Sequence, residues 1–258
     1  MHKKLIKEFD DNASWLREKV LYHRGKHNKV IKENTIEAIK EAMKENMPIE
    51  YDVMLTKDNQ VVVSHDNNLK RVFGVDKNIS ESTYEEIKSY SNGLVPLFKE
   101  VLELVNDKIG MMIEIKSTRV GKLEELVYEY LKGYKGRYVI VSFNPYTLRY
   151  FKKKDSKIIR GQLSYNYKDS KFNWFMKISL RKMWFNIISK PHFISYGIDD
   201  YDKKVLAKYR KKGYFIIGWT YKSEDNKEEL LKIYDNMIIE NLSIKEFKVW
   251  DVYLSIIR

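Results

Sequence analysis

What most constrains this chain is an alternation of short strand-like runs with amphipathic stretches of helical length. The runs fall at 21–23, 49–55, 111–116, 138–143, 158–163, 193–197, 214–220 and 237–241. Alternating β and α segments imply a parallel sheet. Eight such units imply closure into a TIM (β/α)8 barrel more than an open sheet. The 258 residues suit one such barrel, which runs to about 250 residues as a single domain. Helix-start signals support the frame. Asn34 with Glu37 resembles a capping box. Asn144-Pro145 reads as an N-cap followed by a first-turn proline. Ser243 and Glu246 open a last helix, with Ile244, Phe247, Trp250, Leu254 and Ile257 as its apolar stripe.

One run does not fit the barrel count. Residues 61–65, Val-Val-Val-Ser-His, follow the second strand after only a short turn containing Asp58-Asn59. A parallel crossover needs a dozen or more residues, so this run is the antiparallel arm of a hairpin. The polar stretch 67–92 after it reads as a small insertion.

Composition sets the limits. Hydrophobic residues are 43% and charged residues 33%, with 11 Gly and 4 Pro, which excludes collagen-like, low-complexity and broadly disordered chains. Cysteine is absent, so disulfides, a thiolate nucleophile, Cys-ligated zinc and iron–sulfur clusters are excluded. The 48 basic and 36 acidic residues leave a net charge of +12. That balance favours anionic partners without choosing among nucleic acid, a membrane surface and phosphorylated small molecules. Residues 1–20 lack the apolar core of a signal peptide. The longest charge-free stretch, 138–148, is too short and too polar to span a bilayer. The expectation is a soluble cytosolic protein, with loose membrane attachment still open.

Barrel chemistry gathers at the C-terminal ends of the strands, and the charged residues cluster there. His23 ends the first strand, before Arg24-Gly25. His65 ends the hairpin arm, before Asp66. Glu50 and Asp52 stand two apart in one strand and share a face, as do Glu114 and Lys116. Their neighbours Ile49, Tyr51, Val53, Ile113 and Ile115 take the other face. Charges aimed into a barrel mouth cost several kcal/mol each unless paired or metal-bound. An ion-paired network built on Glu114–Lys116 would leave Glu50 and Asp52 repelling each other. A divalent cation removes that conflict, and carboxylate oxygens suit Mg²⁺ or Ca²⁺. Arg24 and Lys116 can neutralise a phosphate. Two imidazoles can share the general-base and general-acid roles near neutrality. Such a set can cleave a phosphodiester.

In order along the chain stand His23-Arg24-Gly25, Glu33-Asn34-Thr35, Glu50-Tyr51-Asp52-Val53, Leu55-Thr56-Lys57-Asp58, His65-Asp66, Val95-Pro96-Leu97, Glu114-Ile115-Lys116, Ser142-Phe143 and Trp219-Thr220. Each is weak alone. As an ordered set over roughly residues 20–242 they closely resemble the glycerophosphodiester phosphodiesterase family. The resemblance implies a TIM barrel with a small insertion at 67–92 and one divalent cation held by Glu50, Asp52 and Glu114. It also implies an acid–base pair of His23 and His65, a glycerophosphodiester substrate, and glycerol 3-phosphate with an alcohol as products. Arg24 and Lys116 would contact the phosphate, and Trp219 and Glu240 the substrate rim. Lys32 before Glu-Asn-Thr, Tyr22 before His23 and Glu240 in the last strand depart from the usual pattern, but no proposed metal or acid–base position is lost.

The segment 171–190 is not reducible to barrel packing by its sequence. It carries Lys171, Lys177, Arg181, Lys182 and Lys190 and no acidic residue. Phe172, Met176, Leu180, Met183 and Ile187 form one helical stripe, and Trp174, Ile178 and Phe185 a second side. It reads either as a lengthened barrel helix packed on both sides or as a basic amphipathic helix facing anionic lipid. A lysophospholipase D using the same site is the competing enzyme reading. A non-catalytic peripheral membrane or phosphate-binding protein is the competing non-enzyme reading. Nucleic-acid binding would rest on charge alone, and no basic stripe joins a known binding module.

Overall fold

The computed structural model describes residues 2–223 and 225–242. Its strands are β1 (Leu21–His23), β2 (Ile49–Leu55), β3 (Val61–Val63), β4 (Met111–Ile115), β5 (Tyr138–Ser142), β6 (Arg160–Ser164), β7 (Phe193–Gly197), β8 (Ile216–Tyr221) and β9 (Asn236–Ile239). All but β3 run parallel, and β1 pairs with both β2 and β9, which closes an eight-stranded barrel. β3 pairs antiparallel with β2 through Val53–Val63, Met54–Val62 and Leu55–Val61, the hairpin that the short Asp58-Asn59 connection dictates. The expected strands at 158–163, 214–220 and 237–241 differ from β6, β8 and β9 by one or two residues at their ends, where strand pairing frays.

Helices alternate with the strands: α1 (His2–Ala13), α2 (Ile36–Lys44), α3 (Lys70–Phe73), α4 (Tyr84–Tyr90), α5 (Phe98–Val105), α6 (Lys122–Leu131), α7 (Pro145–Lys154), α8 (Trp174–Arg181), α9 (Asn186–Ser189), α10 (Lys203–Lys211) and α11 (Lys227–Leu231). α7 begins as its sequence indicates, with Asn144 Oδ1 accepting from Tyr146 N at 3.0 Å. α2 does not. Its cap is Thr35, whose Oγ1 accepts from Ala38 N at 3.2 Å, while Asn34 takes a left-handed φ of 56° and turns its side chain into the barrel. The helix expected from Ser243 lies outside the described residues. Among the described residues, no helix is long and apolar enough to cross a membrane.

Strand parity divides the core in two. Ile49, Tyr51, Val53, Met111, Ile113 and Ile115 face outward into the layer beneath the helices. Met112, Val139, Val141, Leu163, Ile217 and Ile238 face inward. The barrel floor is closed by the N-terminal segment, with Phe9 stacked 5.6 Å from Phe193 and 5.1 Å from Phe215. Trp15 and Leu16 are buried beside it. Truncating a buried aromatic such as Phe193 costs about 3–5 kcal/mol. With the floor sealed, the inward-facing charges can meet solvent and substrate only at the C-terminal mouth.

Residues 67–92 hold α3, α4 and a short 3-10 turn at Ile79–Glu81. Leu69, Ile79 and Ile87 form a small core against Val62 of the hairpin arm. The segment 171–190 is two helices rather than one. Met183, at φ 54°, ends the first by turning its side chain into the core, where it is 2% exposed.

Candidate active site

Register brings the charged residues together. In the β1–β2 pair His23 lies opposite Glu50, and in the β2–β4 pair Asp52 lies opposite Glu114. Tyr22 pairs with Ile239 in β9, so Glu240 follows beside His23. After His23 the chain turns sharply. Gly25 sits at φ 78°, and a Cβ there would stand 2.9 Å from the backbone of Ala38, so only glycine fits this approach.

Glu50, Asp52 and Glu114 are buried, and one oxygen from each lies within 4.8 Å of the others. Lys116 Nζ bridges Glu114 at 2.7 Å and Asp52 at 3.0 Å. Arg24 Nη1 binds Glu33 at 2.7 Å, and its Nε lies 3.6 Å from Asp52. Asn34 Nδ2 donates to Asp52 at 3.0 Å. Burial works against the Asp52 charge, yet Lys116, His65, Arg24 and the Asn34 hydrogen bond hold its carboxyl well below the usual range. Burial, then Asp52 and Glu114, push Glu50 well above it. Burial also pushes Glu114 up to about 7, with Lys116 opposing. The protein's own cations therefore satisfy Asp52 and only part of the rest. Among the described residues, Glu50 meets the Arg24 backbone N–H at 3.4 Å and His23 Nε2 at 3.9 Å and forms no closer contact with a cation. A buried cluster short of positive charge, built wholly of hard oxygen donors, fits a divalent cation.

Each histidine is tied by one ring nitrogen. His23 Nδ1 lies 2.6 Å from Glu240 Oε2, and His65 Nδ1 lies 2.6 Å from Asp66 Oδ1. Burial holds both imidazoles below their ordinary value. The Glu240 hydrogen bond opposes this at His23, and the Asp52 charge opposes it at His65. Glu240 is itself held at about 2 by its bond to His23. Arg71 of α3 ties the two sides together, with Nε 2.5 Å from Asp66 and Nη2 2.6 Å from Glu33.

His23, Arg24, Glu50, His65, Glu114, Lys116 and Trp219 all line one cavity of about 930 Å³. Its far wall is apolar and includes Phe143, Tyr165, Phe172, Met176 and Leu180. Asp52 lies just behind, bonded to Lys116 and Asn34. Glu240 is not among the residues that line the cavity. Its carboxylate is taken up behind His23. His27 lies in the loop after β1, with a ring nitrogen within 4.8 Å of ligand atoms of His23 and Glu240. Sequence reading missed Asn34, Asp66 and Arg71 as supports of the site. The Glu-Asn-Thr and His-Asp motifs contained two of them, and nothing local signalled Arg71.

Fold and mouth together define an α/β-barrel phosphodiesterase. Residues 23–241 match the Glycerophosphoryl diester phosphodiesterase family, and the chain belongs to it. It is similar to a glycerophosphodiester phosphodiesterase of Caldanaerobacter subterraneus subsp. tengcongensis, 32% identical over 83% of this chain and 89% of the relative. A human lysophospholipase D is 37% identical over 43% of this chain and 41% of its own. Among solved structures, a glycerophosphodiester phosphodiesterase of Thermotoga maritima superposes with a TM-score of 0.68 at 31% identity, covering 85% of this chain and 93% of that one. An Oleispira antarctica phosphodiesterase in complex with the product sn-glycerol-3-phosphate shares the fold at a TM-score of 0.72 and 19% identity, covering 90% and 96%.

Proposed function

We propose that this chain hydrolyses glycerophosphodiesters to glycerol 3-phosphate and an alcohol, with His23 and His65 as the acid–base pair. The observation that carries the reading is the paired tethering. Both imidazoles have Nδ1 bound to a carboxylate and, among the described residues, no hydrogen bond at Nε2, on a cavity that also holds the carboxylate cluster. A carboxylate only accepts, so Nδ1 carries a proton and Nε2 is the nitrogen that exchanges protons, vacant in the base and protonated in the acid. Glu50, Asp52 and Glu114 would hold one Mg²⁺ or Ca²⁺, which when bound supplies positive charge for the phosphate oxygens.

In this scheme His23 Nε2 takes the proton of the substrate's own glycerol hydroxyl, and that oxygen forms a bond to phosphorus. The bond from phosphorus to the alcohol breaks, and His65, which enters the cycle as the imidazolium with its Nδ1–H on Asp66, gives its Nε2 proton to the departing oxygen. Water then opens the cyclic phosphate with the roles reversed: His65 takes the water proton and His23 returns one to the glycerol oxygen. His65 has the more exposed side chain, 33% against 13%, which suits protonation of a group leaving toward solvent. Exchange of the two roles balances equally. Arg24 and Lys116 would hold the phosphate. The scheme treats the chain as one barrel domain, with 67–92 an insertion that delivers Arg71 to the site.

A second reading is supported by the apolar wall. A water-soluble head group does not need Phe143, Phe172, Met176 and Leu180, whereas the acyl chain of a lysolipid would bury against them. One assay tests both: release of glycerol 3-phosphate, or of its acylated form, from glycerophosphocholine and from lysophosphatidylcholine, with and without EDTA. Chelator-sensitive hydrolysis of the first supports the primary reading, and faster turnover of the lysolipid favours the second. Undiminished hydrolysis after exhaustive chelation would overturn the cation's role, and hydrolysis of neither substrate the activity.

A further inference from the structure

Nine large hydrophobic side chains are exposed among the described residues, and five of them lie within 172–187. Scattered exposed apolar residues mean little, but a contiguous patch marks an interaction surface. Phe172, just before α8, and Met176 and Leu180 on it face the cavity. Trp174 is turned away from them and is 73% exposed. Trp174 packs edge-on against Phe175 at 6.0 Å, and Phe175 against Trp184 at 6.0 Å. Ile187 of α9, 78% exposed, extends the apolar surface. Ile178 and Phe185, expected on the outer side, are half-buried instead, and Phe185 lines the cavity.

The patch is set among cations. Residues 171–190 contain no acid. Arg181 is paired with Asp202 at 3.5 Å, and Lys177 Nζ donates to a backbone carbonyl at 2.7 Å. Lys182 Nζ sits 6.0 Å over the Trp184 ring. Exposed Trp and Phe beside lysines match the boundary between head groups and acyl chains of an anionic leaflet. A second copy of this chain fits poorly, since a two-fold contact would set the same lysines against one another on a chain already at +12.

We propose that the helical hairpin formed by α8 and α9 docks on anionic membrane surfaces through Trp174, Phe175, Trp184 and Ile187, with Lys171 and Lys182 contacting lipid phosphates. The hairpin shares its inner face with the cavity, so docking sets the barrel mouth beside the bilayer. The inference concerns attachment rather than turnover and does not depend on the acid–base assignment.

The test is co-sedimentation of the whole chain with vesicles of phosphatidylcholine, alone or with about one third phosphatidylglycerol. Binding should rise with the anionic lipid and fall only partly at high salt, because the apolar part is not screened. In Lys171→Gln/Lys182→Gln each lost charge should lower partitioning about fivefold at low salt. Trp174→Ser/Trp184→Ser should lower it at high salt as well, with hydrolysis of glycerophosphocholine unchanged, since neither tryptophan lines the cavity. The lysine variant carries the test if the tryptophan variant fails to fold. The proposal is overturned if the wild type shows no preference for anionic vesicles at low salt, or if the folded variants bind like the wild type. It is also overturned if ultracentrifugation shows a wild-type dimer that Trp174→Ser/Trp184→Ser dissociates.

Discussion

His23 Nδ1 lies 2.6 Å from Glu240 Oε2, a contact made possible because Glu240 directly follows Ile239, the last residue of β9, which pairs with Tyr22. The bond fixes the ring's orientation and its tautomer, and it stabilises the imidazolium whenever Nε2 takes a proton. His65 and Asp66 repeat the relationship at 2.6 Å from a different part of the chain. The two working nitrogens are thus prepared by the same device, one supplied across the barrel seam and one by the next residue in sequence.

Glu240→Gln should lower kcat roughly 10–100-fold, the usual loss for a group that orients another, with KM little changed. The pH profile separates orientation from simple damage. Glu240 raises the His23 pKa against burial, so its removal lowers that pKa further. A base works when deprotonated, so the acid limb of kcat/KM should move to lower pH in the variant. A limb that stays put or moves upward would count against the role.

His65→Ala should lose about 10²–10⁴-fold on glycerophosphocholine. On a nitrophenyl ester of glycerol phosphate it should lose far less, because nitrophenolate leaves without a proton. Equal losses on both substrates would assign His65 to the attacking side and His23 to the leaving side.

The barrel was legible in the sequence because parity and spacing are local properties. Glu50, Asp52, Glu114 and Lys116 alternate with apolar neighbours, and that pattern alone fixes which way they point. The short Asp58-Asn59 link equally forces the antiparallel arm. What escaped was whatever depends on register between distant segments. The Glu240–His23 contact is invisible until β9 is paired with β1. Asn34 looks like a helix cap until Thr35 takes that role and leaves its amide free for Asp52. Arg71 reaches Glu33 and Asp66 from an insertion whose sequence shows only polarity. The 171–190 pattern reads as one helix because periodicity cannot see Met183 breaking it to enter the core.

Glu50→Gln should weaken metal binding while leaving the chelated protein at least as stable as the wild type. The substitution removes a buried carboxylate whose charge is opposed by burial, Asp52 and Glu114 more than it is supported by Arg24 and Lys116. Thermal melts in EDTA and in saturating Mg²⁺ or Ca²⁺ read this directly. A ligand at a hundredfold its Kd adds about 2.7 kcal/mol, so the wild-type Tm should rise on adding the cation and the variant's much less. Identical responses of the two proteins to both ions would remove Glu50 from the ligand set.

His192→Asn should make the protein less sensitive to acid. His192 is 1% exposed, and its Nδ1 accepts from Arg160 N at 3.1 Å. Burial and the nearby Arg160 charge hold its pKa at about 3, even with Glu8 only 3.3 Å from Nε2. The unfolded chain protonates this residue below about pH 6.5 while the folded one does not. Unfolding therefore takes up a proton, and stability falls as pH drops from the ordinary value toward the depressed one. The slope is about 1.4 kcal/mol per pH unit for one proton. Asparagine offers an oxygen near the Nδ1 position and does not titrate. Urea melts from about pH 7 to pH 4.5 should then show the wild type losing ground to His192→Asn at close to that slope. Parallel curves would mean that His192 takes up its proton within the folded barrel at an ordinary pH.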